Sequence, residues 1–130
     1  MATWNLSGTK HHVLICNGSS CNRSGAEELV QAIRQEISAQ AADDLIHTSR
    51  TLCNGRCHDQ CVVIDYPKGT WYRDLDTDDV PSFVASLLQG EDYAAKVAHT
   101  FTGAGFKRES GVVTGVKKHP DTVKAVSKIF

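Results

Sequence analysis

Five cysteines, at positions 16, 21, 53, 57 and 61, constrain this chain more than any other feature. Cys16 and Cys21 form C-x4-C, and Cys53 and Cys57 form C-x3-C after 31 intervening residues. Cys61 follows four residues later. Five thiols is an odd number, and too sparse for a small domain stapled by disulfides. That usage points to a reducing compartment and to a metal or redox site. Any fold that gives the two pairs a common purpose must bring two loops together.

The flanking patterns predict how. His12-Val13-Leu14-Ile15-Cys16 is a short apolar run followed by the turn-formers Asn17, Gly18, Ser19 and Ser20, which reads as a buried strand. Ser24 and Glu27 have the spacing of a capping box. Ala26, Leu29, Val30, Ile33 and Ile37 then recur at helical spacing, and the pattern fades in Ala39-Gln40-Ala41-Ala42. Leu45 to Leu52 reads as a second strand running into Cys53, and Cys61 to Tyr66 as a third, rich in β-branched residues. Pro67-Lys68-Gly69 is turn chemistry leading to a partner strand at Thr70-Trp71-Tyr72. Thr77 is placed to cap a second helix, with Val80, Phe83, Val84, Leu87 and Leu88 as its apolar stripe and Gly90 as its stop. The fold class is therefore α/β, a small mixed sheet flanked by two helices. Both thiol pairs stand at strand ends, with Gly18, Gly25 and Gly55 giving their loops freedom to wrap a ligand.

At 130 residues the chain suits one core, burying roughly two-thirds of its unfolded surface. Its formal charge of −1 hides an asymmetry: residues 1–92 carry −6 and residues 93–130 carry +5. We therefore expect a globular unit over 1–92 and a basic C-terminal extension over 93–130. The extension is expected to be partly helical, with one helix at Asp92–His99 and an amphipathic piece from Pro120 to Phe130 that uses Val123, Val126 and Phe130. It is expected either to pack on the acidic body or to recruit an acidic partner. Its lysines are scattered with few interleaved aromatics, which argues against nucleic acid. No apolar run approaches a membrane span, and Met1 to Asn5 lacks the layout of a secretory signal, so the expected compartment is the cytoplasm. Residues 1–10 hold no periodic pattern and are expected to form a loose arm.

Two thiol pairs on neighbouring loops suit a tetrathiolate site. A [2Fe-2S] cluster takes two cysteines per iron, and structural zinc takes four ligands around one ion. Zinc ribbons favour C-x2-C turns, whereas both pairs here are wider; the plant-type ferredoxin pattern begins C-x4-C but continues C-x2-C. On spacing alone an iron–sulfur cluster, a zinc-stabilised interaction module and thiol redox chemistry all stay open.

The text around the cysteines carries a resemblance. Cys16-Asn-Gly-Ser-Ser-Cys21-Asn-Arg-Ser-Gly25-Ala26-Glu27, Cys53-Asn-Gly55-Arg-Cys57, and Val62 through Tyr66-Pro67-Lys-Gly69-Thr-Trp71-Tyr72 are similar to the thioredoxin-like [2Fe-2S] ferredoxins. That is the fold family of the small cluster-bearing subunit of respiratory complex I. The resemblance covers His12–Glu36 and Leu52–Leu88, and includes the helix start at Thr77–Pro81. It implies a thioredoxin-like fold, with Cys16, Cys21, Cys53 and Cys57 as ligands of a [2Fe-2S] cluster. It also implies a one-electron carrier rather than an enzyme, a homodimer and a redox partner protein. Ferredoxins of this look are also encoded beside anaerobic cobalamin-pathway enzymes in bacilli.

One stretch departs from the family pattern. Where a glycine-proline pair is usual after the fourth ligand, His58-Asp59-Gln60-Cys61 stands instead. Cys61 reads as a small buried residue at a strand start, but it is also a possible alternate ligand in place of Cys57, or a disulfide partner for it. A thiol–disulfide reductase using Cys57 and Cys61 is the corresponding rival function. His58 reads as an exposed loop residue, His11 and His12 as a surface pair, and Trp71 and Tyr72 as hairpin packing. Arg23 and Arg56 lie within the thiol loops, where positive charge would raise the potential of an anionic cluster or dock an acidic partner. Gly103-Ala-Gly105 follows no buried strand and is weak support for a phosphate loop.

Overall fold

The structure, a computed structural model, describes residues 2–127. Six strands, β1 (His11–Cys16), β2 (Ile46–Thr51), β3 (Val63–Tyr66), β4 (Thr70–Tyr72), β5 (Val97–Phe101) and β6 (Phe106–Arg108), form one sheet in the order β2-β1-β3-β4-β5-β6. β1 and β2 are parallel, and every other neighbouring pair is antiparallel. The helices are α1 (Ser19–Arg23), α2 (Ala26–Ala39), α3 (Val80–Gln89) and α4 (Pro120–Ser127). A parallel pair needs a crossover connection, and α2 supplies it between β1 and β2. None of the described helices is long and apolar enough to cross a membrane.

The core follows the helical and strand periodicities. Leu29, Val30, Ile33 and Ile37 of α2 meet Val80, Phe83, Val84 and Leu87 of α3 over Val13, Ile15 and Val63 of the sheet, all buried. Each such side chain contributes about 1.5–3 kcal/mol of burial. Leu88, expected in the α3 stripe, lies outside it at 40% exposure. Along β1, Val13 and Ile15 are buried whereas His12 is exposed, so the helices cover one face of the sheet.

Both helix starts differ from expectation by one residue. Ser24 ends the short helix α1, which occupies the loop before it, so the Ser24–Glu27 box does not form; Gly25, at φ 94°, begins α2 instead. Glu27 is paired with Arg50 at 3.0 Å. At the other helix the box is formed by Asp76 and Asp79 rather than by Thr77, ahead of a 3-10 turn over Thr77–Asp79.

The expected helix at Asp92–His99 is corrected. Only Ala94–Lys96 make a 3-10 turn, and Val97–Phe101 form a strand. β4 presents an open edge, and Trp71↔His99 and Tyr72↔Val97 pairing fills it. Satisfying a strand's backbone groups outweighs weak local helix preference. The sheet thus runs across the boundary expected at residue 92. The extension joins the body through β5, β6 and the buried Val112, not through a packed helix, because α4 has no buried residue. The Phe130 assigned to that last piece lies outside the described residues. Gly103 and Gly105 sit in the turn of the β5–β6 hairpin, where the Thr102 amide donates to the Gly105 carbonyl at 2.8 Å.

Candidate metal centre

The parallel pairing of β1 and β2 places Cys16 opposite Thr51, so both strands release their loops at the same end of the sheet. From β1 the chain passes Cys16, Asn17 and Gly18 into α1, whose single buried residue is Cys21. From β2 it passes Cys53 into an exposed loop with Gly55 at φ 81° and a 3-10 turn over Cys57–Asp59. The two loops touch. A Cβ built on Gly18 would stand 2.9 Å from both Cα and Cβ of Cys53, so only glycine allows this approach.

Cys16, Cys21, Cys53 and Cys57 all line one concavity, together with Gly18, Ser19, Ser20 and Arg56. Cys16 and Cys21 are buried, Cys53 and Cys57 exposed, and all are free thiols. The Cys53 and Cys57 sulfurs lie 3.7 Å apart. Metal–thiolate bonds of about 2.3 Å at a tetrahedral angle put two sulfurs on one ion at about 3.8 Å, so this pair already has the separation of two ligands on one metal. The Gly55 amide donates to Cys53 Sγ at 3.2 Å, which stabilises a thiolate there. Among the described residues no three His, Cys, Asp or Glu side chains converge as ligands of a single ion. The thiols stand as pairs, the arrangement a two-iron cluster uses with two cysteines per iron.

Their electrostatics differ within each pair. Burial acts to raise the Cys16 thiol, but hydrogen bonds from the Gly18 and Asn54 backbone outweigh it and the net shift is downward. Burial pushes Cys21 up to about 12, and the neighbouring Cys16 adds to this. At Cys53 the Gly55 amide lowers the thiol, while burial and Cys57 together raise it further.

Cys61 stands apart. It is 3% exposed, is not among the residues lining the concavity, and its Sγ contacts the Cys21 and Ser24 carbonyls at 3.5 Å each. Cys57, offered above as its disulfide partner, has Cys53 as its sulfur neighbour instead. His58 is exposed, as expected. His11 and His12 do not form a surface pair, since adjacent strand residues point to opposite faces. His11 Nδ1 meets the buried Asp65 Oδ1 at 2.9 Å, and His12 Nε2 meets Ser49 Oγ at 2.8 Å. Tyr72 packs edge-on against Phe83 at 5.1 Å and Trp71 against Phe106 at 6.2 Å, both structural roles.

Arg23 is exposed beside α1, with Nη2 donating to Ser20 Oγ at 3.3 Å. Arg56 forms part of the concavity wall, and its Nε donates to the buried Asp59 Oδ2 at 2.8 Å. Sequence reasoning missed Asp59 as its partner. The i,i+3 spacing of the two residues was the available signal.

Comparison with known proteins agrees with this geometry. The sequence profile of the family described as thioredoxin-like [2Fe-2S] ferredoxin matches residues 4–88. A Priestia megaterium protein provisionally named a 2Fe-2S ferredoxin is 59% identical over 75 residues, which are 58% of this chain and 58% of that protein. The match therefore spans less than two-thirds of that relative. A 2Fe-2S ferredoxin of Clostridium pasteurianum is 26% identical over 96 residues, covering 68% of this chain and 94% of that one. The 1.5 Å crystal structure of the wild-type thioredoxin-like [2Fe-2S] ferredoxin from Aquifex aeolicus superposes with a TM-score of 0.62 at 26% identity, covering 68% of this chain and 96% of that chain. Ferredoxins of this kind carry a [2Fe-2S] cluster, which the paired thiols here fit. By its matched residues, its sheet and its thiol pairs, the chain belongs to the thioredoxin-like [2Fe-2S] ferredoxin family.

Proposed function

We propose that this chain is a one-electron carrier in which Cys16, Cys21, Cys53 and Cys57 hold the cluster, two thiolates to each iron. The observation that carries this reading is the meeting of those four thiols, from two loops, in one concavity at a sheet end. A bound [2Fe-2S] cluster supplies a couple that accepts and returns a single electron. The chain's own residues do the rest. Buried Cys16 and Cys21 shield one side of the site from water, while exposed Cys53 and Cys57 bring its other side to the surface. The Gly55 amide on Cys53 Sγ offsets negative charge at the sulfur. Arg23 and Arg56 flank the loops and offer positive charge to an acidic redox protein, favouring encounter more than tight binding. The chain then acts as a carrier and not as an enzyme. A cytoplasmic homodimer delivering electrons to an anaerobic cobalamin-pathway enzyme completes the proposal, and rests on the resemblance set out above.

Anaerobic expression tests it. A reddish-brown protein with two irons and two sulfides per chain supports the carrier, and a colourless, zinc-loaded one overturns it. Cys57→Ala and Cys61→Ala, compared side by side, test the ligand set. Iron is expected to be lost in the first and retained in the second, and the reverse pattern replaces Cys57 by Cys61.

A further inference from the structure

Past β6 the chain leaves the family-matched residues and turns back toward the thiol loops. Glu109 N–H donates to the Ala98 carbonyl at 2.9 Å, and Arg108 Nη1 donates to the Val112 carbonyl at 2.6 Å, which pins the turn to the sheet edge. Val112 is 3% exposed in a segment otherwise open to solvent. The next carbonyl, of Val113, accepts a hydrogen bond from Arg56 Nη2. Gly115 passes so close that a Cβ there would lie 3.3 Å from Arg56 Nη1.

Arg56 is the residue just before Cys57, and it walls the thiol concavity. Its Nε holds Asp59 Oδ2 at 2.8 Å, and the Asp59 amide returns a bond to the Arg56 carbonyl at 2.9 Å. One guanidinium therefore links the metal-binding loop, a buried carboxylate and the C-terminal extension. We propose that residues 111–115 are a strap that locks Arg56, and through it holds the Cys53–Cys57 loop in its ligand-ready shape. Arg56 is a positioning residue in this arrangement. The loop is exposed and glycine-containing, so without the strap its ordering entropy would have to be met when the metal binds. The inference rests on the carrier reading only for what the loop holds.

The test uses the full chain with Val112→Asp, which unseats the strap without touching Arg56, and with Arg56→Gln, which breaks the link itself. Val116→Ser, at a position 91% exposed, is the control. In cluster-free protein, hydrogen exchange over the Cys53–Asp59 amides is expected to quicken about tenfold or more in both variants, as loss of a charge-assisted bond implies. In cluster-loaded protein, iron release to a chelator is expected to quicken as well, with the control unchanged in both assays. Should Arg56→Gln fail to fold because Asp59 is left unpaired, Val112→Asp decides alone. Loop exchange within about twofold of the parent in Val112→Asp overturns the strap. A chain that takes up no cluster defeats the carrier reading, and the exchange measurement still decides the strap.

Discussion

Replacing Gly18 by alanine isolates the contact on which the metal centre depends. Gly18 has φ −63° and ψ 166°, which any residue adopts, so backbone strain does not enter. What matters is space. The added methyl would lie 2.9 Å from Cα and Cβ of Cys53 and 3.1 Å from its amide nitrogen. Carbon pairs settle at about 3.5–4.0 Å, so the two loops must part by about half an ångström or more. The obstacle includes backbone and cannot swing aside as a long side chain would. Overpacking of this kind costs about 1–3 kcal/mol. For a chain of this size that is about 3–5 °C in Tm per kcal/mol. The cluster-free protein relieves the strain by opening its loops, whereas the loaded protein must keep them closed. Gly18→Ala is therefore expected to lower iron per chain and to reduce the Tm of the loaded form more than that of the free form. Calorimetry on both forms, with iron analysis, measures this. Gly8→Ala, where nothing lies within 4 Å, serves as the control. A Gly18→Ala protein that fills with iron and melts with its parent in both forms would refute the reasoning.

Two further expectations concern the body of the fold. Phe83→Ala removes a fully buried ring that meets Tyr72 edge-on at 5.1 Å, and should cost about 3–5 kcal/mol in urea unfolding. A loss under about 1 kcal/mol would mean the α3 interface is not the core assigned here. Asp65 is 1% exposed, and burial pushes its carboxyl above 3.8, with His11 partly opposing the shift. A raised folded value favours the fold while the group is protonated, a contribution lost as pH rises from 3.8 through the folded value. Asp65→Asn keeps the neutral form, so the parent should lose stability relative to the variant as pH climbs through that window. Denaturant midpoints from about pH 3.5 to about pH 7 check the sign, and a parent that gains on the variant refutes it.

Much of this was legible locally. The α2 stripe of Ala26, Leu29, Val30, Ile33 and Ile37 is buried in full, because helical periodicity records which face meets the core. Strands β1 to β4 fall where short apolar runs end at turn residues. The thiol pairs, being tied to strand ends, could be placed from spacing and resemblance together. Helix α1 was not legible, since five residues with one buried side chain leave no period to read. The His11–His12 pair misled because two adjacent imidazoles suggest one site, whereas strand geometry sends them to opposite faces.

Local pattern and the thiol spacing thus determined the fold class, the family and the two loops in question. Tertiary structure decided how those loops meet and what covers them. Gly18 touches Cys53, β5 fills the edge of β4, and Arg56 reaches Val113 across 57 residues of sequence. Each of these joins segments distant in the chain, through space left by side chains or backbone groups left to satisfy. Periodicity reports only a residue's near neighbours, so such contacts become visible only when the chain has folded.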